Sequence, residues 1–394
     1  MLEAIVAVNR DWGIGADGTQ SVVVSADRKH FREVTGGSTV IVGRKTLADF
    51  PGGKPLPKRR NIVLTKQNIE IDGAEVAHTP EEALSLAGDG RCFVIGGESV
   101  YKALFPHIQR VYVTKLDTAP HSDAFFPDLD ADPDWEIADE GAEQTDESGV
   151  KFRFVTYERR LSPELQRVRE RLTRADRAAY ACILNAIARR SLRLHYSGDD
   201  GLVAYDETGR LWYGLGDAAA QLPDLGAVRL FVTDSAALAE AAAQRYGLSR
   251  IEEYRIFSHL GSEASAPEHP KLRIGTPEPE DDLSVFHFLA SEDDRKELER
   301  DIREGRFFVG HDADGALVGC CGINPDTSMG MLEVLPAYRR MGYAEALEGY
   351  TVRQVFAMGL IPNGQVALEN DASAALQRKL GLTEAEQHLW FVWP

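Results

Sequence analysis

The sequence predicts an α/β chain: a mixed, mostly parallel sheet flanked by helices, followed by a region where long helices precede short strands. Three observations predict it. Residues 1–160 alternate near-continuous Val/Ile runs with helix-like stretches, the pattern of strands buried on both faces. After Arg160 the composition shifts to Ala/Leu/Arg helices. The stretch GSEASAPEHP at 261–270 has no periodicity and sets off a third segment. A length of 394 residues suits two or three domains at roughly 100–200 residues each, here 1–160, 161–265 and 270–394.

In chain order, LEAIVAV, STVIVG, RNIVLT, RCFVIGG and RVYVTKL read as buried strands, and KFRFVTYERR as the strand that closes the first segment. Between the first two, SADRKHFREVT reads as a helix with Ser25 as N-cap. Asp27, Phe31 and Val34 then share a face, so a carboxylate points where apolar side chains point. Thr79-Pro80-Glu81-Glu82 opens a further helix with a capping Thr, Pro at the first position and an acid at the third. The second segment carries the helical run PELQRVRERLTRADRAAYACILNAIARRS, then strand-rich LHYSGDDGLVAYDETGRLWYGL, then LFVTDSAALAEAAAQRYGL. The third has strands at RFFVGHD, ALVGCCGIN and GMLEVLP, followed by a helix, a strand and a helix. Segments two and three are similar in length, which makes them candidate distant duplicates.

A formal net charge of -18 argues against general binding to nucleic acid or anionic membrane. Runs of apolar residues stay short of the ~20 residues of a membrane span, and MLEAIVAVNRDWGIG lacks the architecture of a cleavable signal. Cys92, Cys182, Cys320 and Cys321 show no metal-ligand spacing, so no metal is expected and a cytoplasmic protein with reduced thiols is.

Three turns at strand ends carry most of the functional information in the first segment. They are Gly43-Arg44-Lys45-Thr46, Thr65-Lys66, and Gly96-Gly97 leading to Tyr101. In a parallel sheet, ligands sit at the carboxyl ends of strands, where backbone N–H groups meet phosphate. Two basic turns point to a dinucleotide with an extra phosphate, and the pattern is not GxGxxG.

Residues 1–160 resemble dihydrofolate reductase along their whole length. The resemblance rests on AIVAV with Ala7, GIG at 13–15, SADRKHF, VGRKT at 42–46, PLPKRRNIVLT, IGGESVY at 95–101, VTKLD and DAFFPD at 123–128, in order and spacing. It implies reduction of dihydrofolate by NADPH. It also implies a substrate pocket of Ile5, Asp27, Arg28, Phe31, Phe50, Arg59, Ile95 and Thr114, with Asp27 and Thr114 catalytic. Asp27 would hold the pterin's amino and ring N–H groups and raise its basicity while water delivers the proton. Thr114 would support this acid, and Arg59 would grip the folate glutamate. The cofactor would run along Ala7, Ile14, Gly15, Gly43, Arg44, Lys45, Thr46, Leu64, Thr65, Lys66, Gly96, Gly97, Glu98, Ser99, Val100 and Tyr101. Two features depart from the family. Ser21 and Val22 replace Pro-Trp, which puts water delivery in question, and Arg28 replaces an apolar pocket residue, either as a new contact or as a solvated flank. The chief rival here is a pteridine or riboflavin-pathway reductase of the same fold, which has no folate tail for Arg59 to bind.

In the third segment, VLPAYRRMGYAEAL places Arg-x-x-Gly-x-Ala between a strand and a helix, a turn able to wrap a pyrophosphate. VALENDASAALQRKLGL follows with Asn370 and Ser373 at a second helix start. Together they resemble the acyl-coenzyme A signatures of the Gcn5-related N-acetyltransferase (GNAT) superfamily, whose fold is α+β, over residues 270–394. The resemblance implies acetyl-coenzyme A held by Val334, Arg339, Arg340, Met341, Gly342, Tyr343, Ala344, Asn370 and Ser373, and an amine acceptor the motifs leave unspecified. Gln377 stands where the family often has an acid Tyr; Tyr343 and Tyr350 lie nearby, and Glu333 or Glu369 is either a base or structural. Segment two weakly resembles the cofactor-less half of a tandem acetyltransferase and lacks RxxGxA, so a scaffold is expected. The rival is a non-catalytic binding or dimerisation module.

Overall fold

The structure, a computed structural model, describes residues 2–20, 22–88, 90–261, 268–288 and 292–394. The chain divides into two compact units, Met1–Leu161 and Ser162–Pro394.

In the first unit the elements are β1 (Leu2–Val8), β2 (Gly13–Gly15), α1 (Ser25–Thr35), β3 (Thr39–Gly43), α2 (Arg44–Ala48), β4 (Arg60–Leu64), β5 (Glu75–Ala77) and α3 (Pro80–Ala87). There follow β6 (Cys92–Val94), α4 (Glu98–Leu104), β7 (Arg110–Leu116), β8 (Ala124–Phe125), β9 (Trp135–Glu140), β10 (Gln144–Thr145) and β11 (Lys151–Arg159). The main sheet runs β10-β11-β7-β1-β6-β3-β4-β5. From β7 to β5 every pairing is parallel, and β11 closes the sheet antiparallel on β7. The apolar runs explain this directly. Ile41, Ile62 and Val94 pack into one core, whereas Val40, Val42, Val63 and Phe93 pack into the other, so successive strand residues feed opposite faces. Helix α3 starts as the sequence predicts, with the Thr79 side chain accepting from the Glu82 N–H. Helix α1 does not. Ser25 is its first helical residue, and Val24, buried against Leu116 and Phe152, takes the N-cap position without any side-chain cap. Packing of Val24 fixes the entry, so the hydroxyl of Ser25 is not needed there.

The second unit starts with α5 (Pro163–Asp176), α6 (Ala181–Ala188), β12 (Leu192–Ser197), β13 (Gly201–Asp206), β14 (Leu211–Gly216), β15 (Phe231–Thr233), α7 (Ala236–Tyr246) and β16 (Arg250–Ser258). It continues with β17 (Arg273–Gly275), α8 (Glu292–Arg303), β18 (Phe307–His311), β19 (Leu317–Ile323), β20 (Ser328–Val334), α9 (Tyr343–Ala357), β21 (Asn363–Ala367), α10 (Asp371–Lys379), β22 (Thr383–Glu384) and β23 (Leu389–Trp393). One sheet of 12 strands runs β12-β13-β14-β15-β23-β16-β21-β20-β19-β18-β17, with β22 beside β16. Its halves repeat the same plan: an antiparallel meander, one parallel step (β14 to β15, β20 to β21), a helix, and a last strand. The last strands are exchanged. β16, from the first half, pairs with β21 of the second, and β23, from the second, pairs with β15 of the first. Segment two is therefore woven into segment three rather than merely packed on it. All four cysteines are free and buried, and among the described residues no helix is long and apolar enough to cross a membrane.

Candidate functional site

On α1, Asp27 is partly buried, and Thr114 on β7 donates a hydrogen bond of 2.6 Å from Oγ1 to Asp27 Oδ1. Burial pushes the Asp27 carboxyl above its ordinary value, against the opposing pull of the Thr114 hydrogen bond, of His30, and of a hydrogen bond from the Gln20 side chain. Next to it on the helix face, Phe31 and Val34 pack with Ile5, Phe50, Leu56 and Ile95. The result is an apolar wall with a single carboxylate at one end. His30, one turn beyond Asp27, has its ring centroid 4.2 Å from that of Phe154, and burial lowers its pKa. Gln20 and His30 are contacts that sequence reasoning missed. Both lie within seven residues of Asp27, but neither belongs to the quoted motif's acid-and-apolar pattern.

Arg59 is half-buried at the other end of the wall and held in place before any ligand arrives. Its Nε donates to Thr35 Oγ1 (3.0 Å), Nη1 to the Pro57 carbonyl (2.9 Å) and Nη2 to the Arg32 carbonyl (3.0 Å). A guanidinium has five N–H donors, so one remains on each terminal nitrogen, the pair a carboxylate takes bidentately. Arg28 is exposed on α1 and has no ion pair among the described residues. Ser21 lies outside the described residues. Val22 packs beside Val24, Leu116 and Phe152.

The strand-end turns line up because β6, β3, β4 and β5 are parallel neighbours. Gly43 N–H donates to the Gly96 carbonyl at 2.7 Å, which ties two of the turns together. A Cβ at Gly97 would stand 2.9 Å from Thr46 Oγ1 and one at Gly43 3.0 Å from Val100, so the backbone here stays bare and close-approaching. The Gly96–Gly97 peptide is cis. Arg44, Lys45 and Lys66 have no carboxylate partner among the described residues, and Thr65 Oγ1 accepts from the Gln67 N–H. Glu98 and Ser99 open α4, while Val100 and Tyr101 turn into the core and Tyr101 Oη donates to the Ile5 carbonyl at 2.6 Å. Leu64 ends β4 and Ala7 lies one residue before the end of β1, whereas Ile14 and Gly15 sit on β2, which pairs with β8 in a separate two-stranded sheet. The fit to a phosphorylated dinucleotide rests on this bare, cationic edge.

In the second unit β20 pairs with β21 only at Ser328↔Asn363 and Met329↔Gly364, although both strands run on to Val334 and Ala367. The sheet is therefore split between them. Met331 (φ 54°) sits in a bulge just past the split. In the first half, by contrast, β14 and β15 stay paired through Gly214↔Thr233, and a loop with one short 3-10 turn replaces the helix between them. Gly342 caps α9 in the left-handed region (φ 87°), with exposed Arg339, Arg340 and Met341 before it and Ala344 in the first turn. Tyr343 is buried, its ring centroid 4.8 Å from that of His269. Arg339 Nε donates to the Val334 carbonyl. Asn370 is the N-cap of α10, its Oδ1 accepting from the Ser373 N–H at 3.0 Å. Gln377 is buried and donates to Glu348 at 2.7 Å, and burial raises the Glu348 pKa. Tyr350 packs on Phe308, and Glu369 is exposed. No group of acids, histidines and cysteines able to hold a metal occurs among the described residues.

Residues 1–159 match the family model described as Dihydrofolate reductase, and residues 276–382 that of the Acetyltransferase (GNAT) family. The dihydrofolate reductase of Bacillus subtilis is 32% identical over 165 residues, 41% of this chain and 96% of that protein. That of Haemophilus influenzae is 35% identical over 158 residues, 40% of this chain and 97% of that protein. A solved Enterococcus faecalis dihydrofolate reductase, complexed with NADP(H) and RAB-propyl, is 31% identical with a TM-score of 0.38, covering 41% of this chain and 97% of that one. Through its first unit the chain belongs to the dihydrofolate reductase family of oxidoreductases, and it carries a GNAT-type domain behind it.

Proposed function

We propose that the first unit reduces 7,8-dihydrofolate to tetrahydrofolate with NADPH. The observation that carries this is Asp27, the one carboxylate on an apolar wall, supported by Thr114. Bound NADPH supplies a hydride. Asp27 accepts from the amino and ring N–H groups of the pterin and makes its ring nitrogen more basic, so that a proton from water completes the reduction. Phe31, Phe50, Ile5 and Ile95 exclude bulk water around the ring, and Arg59 holds the glutamate carboxylate. Arg44, Thr65 and Lys66 favour the cofactor that carries an extra phosphate on its adenosine. The test is absorbance at the reduced-nicotinamide band with the full chain: consumption that requires dihydrofolate supports the reading, and none with either cofactor ends it.

Acetyl-coenzyme A binding by the second unit is proposed on the Arg339–Ala344 turn and the split between β20 and β21. The first half, unsplit and without the corresponding helix, serves as its scaffold. Four buried free thiols are consistent with a cytoplasmic protein.

A further inference from the structure

Glu333 lies on the part of β20 that has left β21, and it pairs with Cys320 on the other side. Along this strand Leu332 and Val334 pack toward α9, while Met331 and Leu335 pack with Phe286 and Phe288 on the opposite face. By alternation Glu333 shares that opposite face. Its carboxylate is 14% exposed and takes two contacts from one residue: the His287 backbone N–H reaches Oε2 at 2.9 Å, and His287 Nδ1 lies 2.5 Å from Oε1. A carboxylate accepts, so in the neutral ring Nδ1 carries the proton and Nε2 the lone pair. The ring itself is 77% exposed, and Nε2 has no partner among the described residues.

We propose that His287, oriented by Glu333, is the base of an N-acyl transfer from an acyl-coenzyme A thioester to a cationic primary amine. This rests on the acetyl-coenzyme A reading of the split sheet. The acceptor's ammonium first gives one proton to solvent; the free amine nitrogen then bonds to the thioester carbonyl carbon and its remaining N–H proton passes to His287 Nε2. The carbon–sulfur bond then breaks, and the thiolate leaves with the bonding pair and takes that proton back. The products are an amide and a free thiol, and His287 is neutral again. Glu333 acts through His287 as a positioning residue: it fixes the tautomer and steadies the imidazolium. The acceptor class is inferred from charge: Glu280 and Asp282 are exposed and lie within seven residues of His287 in sequence, and the chain carries a net charge of -18.

The test uses the full chain with acetyl-coenzyme A, spermidine as the amine probe, and a thiol reagent to read coenzyme A release. His287→Ala should lose ~100-fold or more in kcat, leave the KM for acetyl-coenzyme A and the dihydrofolate reaction unchanged, and regain turnover with added imidazole. Glu333→Gln should lower kcat by ~10-fold with KM held, and shift the His287 ring nitrogen resonances away from the Nδ1–H form. Unchanged turnover in His287→Ala, or failure of imidazole to rescue it, overturns the proposal. So does a wild type that binds acetyl-coenzyme A by calorimetry but releases no thiol with spermidine. Absence of acetyl-coenzyme A binding would instead remove the reading on which the proposal rests.

Discussion

Asp27 is partly buried with no ion-pair partner among the described residues, and its pKa in the folded chain is raised chiefly by that burial. The native state therefore holds its proton more tightly than the unfolded chain. Stability falls as pH rises from the unfolded carboxylate value, ~4, through the raised folded value, and above it the full cost of the buried charge is present. Asp27→Asn keeps an acceptor for Thr114 and removes the charge. Its thermal midpoint should exceed the wild type's at pH 7, with the gain vanishing below ~pH 4; equal midpoints at pH 7 would refute this account of the site. Arg59 makes the complementary prediction. Arg59→Gln loses a bidentate charged contact of ~1.5–3 kcal/mol, so KM for dihydrofolate should rise by about ten- to a hundredfold at near-constant kcat. Removing Arg44 should weaken NADPH by a similar ~1.5–3 kcal/mol and NADH much less, measured as the ratio of the two dissociation constants. Arg28, exposed on α1, should favour glutamate-bearing antifolates. Arg28→Leu should weaken one of these and strengthen a small diaminopyrimidine, and parallel changes would make it a solvated flank.

The parallel strands of the first unit are legible because both faces are buried, which leaves runs such as TVIVG and RNIVL without alternation. Strand β9 was not legible: only Trp135 of Trp135–Glu140 is buried, so an edge strand reads like a polar loop. The Asp27–Thr114 pair spans 87 residues and the His287–Glu333 pair 46. The first was reached only through a resemblance, and for the second only Glu333 was singled out, because local periodicity holds no information on such partners. Helix α9 offers the sharpest test of the turn before it. Gly342 is its N-cap at a φ of 87°, a left-handed conformation that Asp tolerates better than most side chains, and the charge that Asp adds opposes a pyrophosphate at the turn. Gly342→Asp should abolish acetyl-coenzyme A binding, read by calorimetry, and leave the thermal midpoint within a few degrees. Binding at wild-type affinity would show that the turn is only a helix start.

The exchange of β16 and β23 makes the second unit one cooperative body, because each half-sheet ends on a strand of the other. No sequence pattern announces it, since nothing in the local run RIEEYRIFS says which strands β16 will pair with. Residues 1–161 expressed alone should fold and retain the reductase activity, whereas residues 270–394 alone lack β16 and should be unfolded by circular dichroism. A folded 270–394 fragment would contradict the exchange. The central claim is that the first unit reduces dihydrofolate through Asp27. It is tested most directly by dihydrofolate-dependent NADPH oxidation of the full chain and of Asp27→Asn over about pH 5–9. The variant should fall by ~10²–10⁴-fold near neutrality and recover part of the loss toward low pH, where the substrate arrives already protonated. A variant with the wild-type rate and the wild-type pH profile would contradict the account.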